Sequence, residues 1–119
     1  MVNGRDAVEA ARAGDGEAAA LLTTLGTNLG VGITGLINTF EPERVSIGGG
    51  LAAGGADLFL DAAIAEVRAR ALPAVAERVL IAVAASGADA GVLGAGLLAM
   101  HEMERRGDTA GQTLEEEVA

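Results

Sequence analysis

Between Leu29 and Gly50 the chain reads as an apolar helix, a turn, a short strand and a run of three glycines in immediate succession. This order constrains the fold more than any other feature. Pro42 ends the helix, and Val45 to Ile47 is too short and too apolar for anything but a buried strand. That strand delivers the chain into Gly48, Gly49 and Gly50, where no side chain keeps a ligand from the backbone and positive φ is freely available. A flat ligand or a phosphate fits such a turn. So does a plain strand-to-helix connection that binds nothing.

Periodicity supplies helices on either side. Asp6 to Ala13 is expected as a two-turn helix ended by Gly14-Asp15-Gly16, with Asp15 placed to cap the next helix. From Glu17 to Phe40, Leu22, Leu25, Leu29, Ile33, Leu36 and Phe40 recur at steps of three or four, which predicts a long amphipathic helix. Gly26, Gly30, Gly32 and Gly35 interrupt it. Each costs a helix interior about 1 kcal/mol relative to alanine, so close approach of another element is expected there. Thr27, Asn28, Thr34 and Asn38 make the opposite face polar, which argues against a membrane helix pair.

Beyond the glycines, Ala56 to Leu72 returns to helical period, with Glu66 and Arg70 spaced to pair and Pro73 ending the run. Val79 to Ala84 is six apolar residues between Arg78 and Ser86-Gly87, a second buried strand. Strand, helix, strand implies a right-handed parallel crossover. Gly91 to Arg106 is the last expected helix, and the acidic segment 107–119 is expected to fray. The predicted fold class is therefore α/β, with two parallel strands and four helices.

A chain of 119 residues, 50% of them hydrophobic, has room for one domain and one core. With Phe40 and Phe59 as its only aromatics, that core must be Ala, Val, Leu and Ile. A net charge of -9 and a pI near 4.4 argue against nucleic acid or an anionic membrane as partner. The lack of cysteine excludes disulfides and thiolate metal sites. With no cationic, apolar leader and no run of about 18 apolar residues, a soluble cytoplasmic protein is expected.

Isolated polar residues have plain explanations beside functional ones. His101 is expected to be solvated near a helix end. Glu41, Glu43, Asp57 and Asp61 flank the glycine turn as acid/base or magnesium candidates, or simply as solvated element ends. Asp89 stands where a helix N-cap belongs, or where a carboxylate would face a ligand.

Three segments in order resemble the C-terminal part of the ROK family (repressors, uncharacterised frames and sugar kinases), most closely its bacterial glucokinase branch. They are Gly4-Arg-Asp-Ala-Val-Glu-Ala-Ala-Arg-Ala-Gly-Asp15, Glu41-Pro-Glu-Arg-Val-Ser-Ile-Gly-Gly-Gly50 and Ser86-Gly-Ala-Asp-Ala-Gly-Val-Leu-Gly-Ala-Gly96. The resemblance covers roughly residues 4 to 106. It implies the C-terminal lobe of an actin-like, ribonuclease-H-like ATPase domain, from an enzyme that uses ATP and Mg2+ to phosphorylate a hexose. By the same resemblance Gly48, Gly49 and Gly50 would meet the adenosine of an adenine nucleotide, with Leu51 beside the ring and Asp89 or Gly91 closing the far wall. The family's aspartate base, N-terminal phosphate loop and zinc site of one histidine and three cysteines have no counterpart here, so residues 1–106 are expected to be a nucleotide-side subdomain with no catalytic residue. Nor does a basic recognition helix, which the family's repressors carry, precede Leu21. The lobe's opening strands come from upstream sequence in the family, which leaves an apolar strand edge to be covered. The expected cover is the missing upstream half or a second copy in a homo-oligomer, the copy lying on that edge or on the Gly26, Gly30 and Gly35 face; the alternative to the nucleotide reading is a homo-oligomerising assembly module that binds no nucleotide.

Overall fold

The computed structural model describes residues 3–118, with side chains described for residues 3–107. It divides into two compact units, Met1–Ala88 and Asp89–Ala119.

In the first unit, α1 (Gly4–Arg12) opens on a capping box. Asn3 Oδ1 accepts the Arg5 and Asp6 amides at 2.9 and 3.1 Å, and Asp6 Oδ2 accepts the Asn3 amide at 2.9 Å. Asp15 caps α2 (Gly16–Phe40) as expected, accepting the Glu17 and Ala18 amides at 2.9 and 3.1 Å. The long helix ends on Glu41 in the left-handed region (φ 46°), directly before Pro42.

Which stripe of α2 is buried differs from the expectation. The inward residues are Leu22, Gly26, Gly30, Ile33, Thr34 and Ile37, whereas Leu25, Leu36 and Phe40 are exposed. The glycines decide this. A Cβ on Gly30 would lie 2.5 Å from the Ala63 carbonyl oxygen and 2.7 Å from Glu66 Cβ, and one on Gly26 would overlap the Phe59 carbonyl oxygen. Helix α4 (Leu60–Arg70) thus approaches α2 backbone to backbone, and the stripe that permits this faces inward in place of the leucines. The close approach expected at all four glycines is found at Gly26 and Gly30, where the neighbour belongs to the same chain, whereas nothing crowds a Cβ on Gly32 or Gly35. Thr34, expected on the polar face, is buried with its hydroxyl donating to the Gly30 carbonyl at 2.8 Å. Asn38 Oδ1 accepts the Leu72 amide at 3.0 Å, tying the end of α2 to the turn after α4.

Strands β1 (Arg44–Ile47) and β2 (Leu80–Val83) pair in parallel, with Val45 opposite Ile81 and Ile47 opposite Val83. The connection runs through α3 (Gly50–Gly55), a 3-10 turn (Ala56–Leu58), α4 and α5 (Pro73–Ala76). Among the described residues six helices therefore replace the expected four, because α3 starts on the third glycine and Pro73 opens a short helix as well as ending one. Glu66 and Arg70 form their ion pair on α4. The core gathers Ile33 and Ile37 with Val67, Ala71 and Val75; Val45, Ile47 and Ile81 pack on it from the sheet and Val79 from the residue just before β2.

The strands are not buried as expected. Residues of β1 alternate between exposed and half-buried, and Leu80 is exposed. Within the first unit the helical core packs on one face of the two-stranded sheet, through Val45, Ile47 and Ile81, and the exposed Arg44, Ser46 and Leu80 lie on the other.

The second unit holds a 3-10 turn at Gly87–Asp89, which begins at the end of the first, and α6 (Ala90–Val118). On α6 Glu102 accepts from Arg105 and Arg106, which hold its carboxyl below the usual range. The acidic tail expected at 107–119 lies, past Gly107, outside the residues whose side chains are described.

Among the described residues α2 is the one helix long and apolar enough to cross a membrane. Its inner stripe is already packed on α1 and α4.

Candidate functional site

The three glycines sit at the carboxyl end of β1 and each does something different. Gly48 continues the strand beside the end of β2, where an added Cβ would meet Ala84 Cβ at an ordinary 3.6 Å. Gly49 turns the chain with φ 105° and ψ 170°, a conformation open to glycine alone, and its carbonyl accepts the Ala53 amide at 2.9 Å. Gly50 is the first residue of α3, and no heavy atom lies within 4 Å of where its Cβ would be. The outcome is a patch of bare backbone at the carboxyl end of a parallel strand, the end at which open α/β sheets present ligands.

Next to this patch α1 and α3 line a half-open pocket of about 680 Å³. Gly50, Leu51 and Gly54 form one wall, while Arg5, Val8, Glu9 and Arg12, spaced to share one face of α1, form the other. Val8 is buried, and Leu51 is half-buried with its Cδ1 3.5 Å from where a Gly4 Cβ would sit. Arg12 is committed elsewhere, donating to Asp57 Oδ1 at 2.9 Å and to the Gly54 carbonyl at 3.0 Å. That ion pair gives Asp57 a structural partner. The side chains of Arg5 and Glu9 form no ion pair or hydrogen bond among the described residues.

The other residues singled out by sequence fall in different places. Asp89 ends the 3-10 turn ahead of α6 and Gly91 lies in the first turn of α6, so both belong to the second unit while Gly48 to Leu51 belong to the first. The Asp89 side chain makes no hydrogen bond among the described residues. Glu41 lies 3.7 Å from Arg78 in an exposed pair. No group of three or more His, Cys, Asp or Glu side chains gathers among the described residues. Sequence reasoning missed α1 as a wall of the site. The signal was available in the one-face spacing of Arg5, Val8, Glu9 and Arg12, but nothing local links that face to α3, some 40 residues on.

Comparison with known proteins gives this geometry a context. The chain is 34% identical over 112 residues to a glucokinase of Halalkalibacterium halodurans, covering 92% of this chain and 34% of the relative. It thus spans about a third of the length of that curated relative. A candidate sugar kinase from Cytophaga hutchinsonii superposes with a TM-score of 0.72 at 23% identity, over 84% of this chain and 33% of that one, which shows a shared fold. A ROK family transcriptional regulator, homologue of the E. coli MLC protein, superposes with a TM-score of 0.64 at 26% identity, over 70% of this chain and 21% of its own. The model of the ROK family matches residues 1–102, most of the sequence, and the chain belongs to that family.

Proposed function

We propose that this chain is the adenine-nucleotide-side part of an ATP-dependent hexose kinase, working in the cytoplasm. The observation that carries the proposal is the bare backbone of Gly49 and Gly50 at the carboxyl end of β1. Identity to a glucokinase supports the reaction class. In this proposal the backbone of Gly48, Gly49 and Gly50 lies against the nucleotide and Leu51 contacts the base. Bound ATP supplies the γ-phosphoryl group, and Mg2+ travels on its phosphates. Transfer to sugar needs a positioned base and charge-stabilising donors on the phosphates, and the residues named here supply neither. In a titration, ATP at about 1 mM is expected to move the amide resonances of Gly48 to Leu51 while glucose with ATP and Mg2+ yields no sugar phosphate. Unmoved resonances would remove the nucleotide assignment, and turnover lost on mutation within the chain would remove the assignment as a non-catalytic part.

Two exposed surfaces favour a homo-oligomer as well. Leu21, Leu36 and Phe40 leave an apolar outer face on α2, and β2 has no strand on its far side among the described residues. Gly26 and Gly30 are already taken by α4, so a second copy is proposed to cover the β2 edge or the outer α2 face. The amides of Leu80 and Ala84 donate to β1 or its flank, at 2.9 Å each. By the alternation of a parallel ladder those of Ile81 and Val83 point outward. Hydrogen exchange is expected to spare Leu80 and Ala84 in dilute solution, with Ile81 and Val83 joining them as light scattering registers a doubled mass if the edge is the contact. A chain that stays monomeric at every concentration would sink the homo-oligomer.

A further inference from the structure

We infer that Arg12 is a positioning residue for the glycine turn, acting on it through α3. This rests on the nucleotide reading above only for its consequence in binding, and on the distances between α1 and α3 for the action itself. Helix α3 has little stability of its own. It is six residues long, Gly50-Leu-Ala-Ala-Gly-Gly55, and no side chain caps its first turn. Isolated helices shorter than about 12 residues are marginal in water even when rich in alanine, and half of these six residues are glycine. Yet the turn depends on this helix, because the Ala53 amide donates to the Gly49 carbonyl at 2.9 Å. When α3 frays, that hydrogen bond is lost and the bare backbone of Gly49 and Gly50 loses its fixed direction.

Helix α1 supplies what α3 lacks. Leu51 Cδ1 stands 3.5 Å from where a Gly4 Cβ would be, and the buried Val8 lies so close to Gly55 that a Cβ there would sit 2.6 Å from Val8 Cγ2. One turn beyond Val8, Arg12 Nη2 donates both to the Gly54 carbonyl, at 3.0 Å, and to Asp57 Oδ1, at 2.9 Å. The first contact satisfies one of the carbonyls that a helix leaves without an intrahelical partner at its C-terminus. The second holds the guanidinium in place from the 3-10 turn that follows α3. An exposed ion pair adds little to a well-packed domain. Here the same small contribution falls on an element with no margin, where it changes the population most.

The test is amide hydrogen exchange and calorimetric ATP titration of the full chain, in Arg12→Ala, Arg12→Lys and Arg12→Ala combined with Gly54→Ala. Arg12 is exposed, so Arg12→Ala is expected to keep the urea midpoint of the unsubstituted chain and the slow exchange of the buried Val67 amide. The Ala53 amide should exchange about tenfold faster, the size of effect expected for losing charge-assisted contacts. ATP should bind about twofold or more weakly, because apparent affinity falls with the fraction of chains whose turn is formed. Arg12→Lys should fall between, as an ammonium keeps the charge without the guanidinium's shape. Gly54→Ala adds a methyl in open space and raises helix propensity without removing either acceptor of Arg12. It should therefore return both Ala53 exchange and ATP affinity of Arg12→Ala toward those of the unsubstituted chain. Unaltered Ala53 exchange in Arg12→Ala would overturn the inference, and so would failure of Gly54→Ala to rescue, which would mean that Arg12 does not act through α3. If ATP does not bind the unsubstituted chain, the nucleotide reading falls by itself, and Ala53 exchange still decides the role of Arg12.

Discussion

Gly26→Ala is expected to unfold this chain, although alanine is the better helix former by about 1 kcal/mol. The added methyl would overlap the Phe59 carbonyl oxygen and lie 3.0 Å from Ala62 Cβ. Backbone cannot rotate out of the way as a side chain can, so relief requires α4 to move outward, and with it Ala63 and Val67, which are 0% and 1% exposed. Overpacking costs roughly 1–3 kcal/mol in an ordinary core and more when the obstruction is rigid. A domain has about 5–15 kcal/mol in hand, and a core whose largest fully buried side chains are Leu22, Ile37 and Val67 puts this one at the low end.

The same substitution six residues on has the opposite sign. Gly32 faces open space, with nothing within 4 Å of its Cβ position, so Gly32→Ala is expected to stabilise by up to about 1 kcal/mol through helix propensity alone. Urea unfolding followed by circular dichroism separates the cases. A shift of both midpoints in one direction would show that α4 does not approach α2 as described.

Elements whose formation is local were legible in sequence, and those that depend on distant neighbours were not. Asp15 as a cap, Pro42 as a stop and the Glu66–Arg70 pair depend on residues within a turn of one another, and each is found as read. The buried stripe of α2 failed because counting apolar residues favours Leu25, Leu36 and Phe40. A helix face turns inward here according to how close α4 can come, and that is set by the absence of side chains at Gly26 and Gly30. Burial of β1 and β2 failed for a related reason. An apolar tetrapeptide says that a strand wants covering, and only the count of strands and helical layers says whether it gets it. At the site, the glycine turn was legible as bare backbone, whereas the α1 wall depends on the Arg12 to Asp57 tie across 45 positions.

The glycine turn also dictates which substitution tests it. Gly49→Val, the middle of the glycine run, is a poor probe, because Gly49 holds φ 105°, where a branched side chain is strained by about 1–3 kcal/mol whatever the surrounding space. Lost nucleotide binding in that variant would report a distorted turn as readily as a blocked wall. Gly50 separates the two effects, because it is helical with open space at its Cβ position and has no positive φ to lose. Gly50→Val is therefore expected to melt within a few degrees of the unsubstituted chain, since a cost below about 1 kcal/mol moves a domain of this size by only about 4 °C. It is expected to bind ATP at least a hundredfold more weakly, because the isopropyl group would stand where the nucleotide approaches the backbone. Gly49→Val should lose both stability and binding, and Asp61→Ala neither. ATP binding by Gly50→Val equal to that of the unsubstituted chain would mean that the bare backbone is only a turn between a strand and a helix.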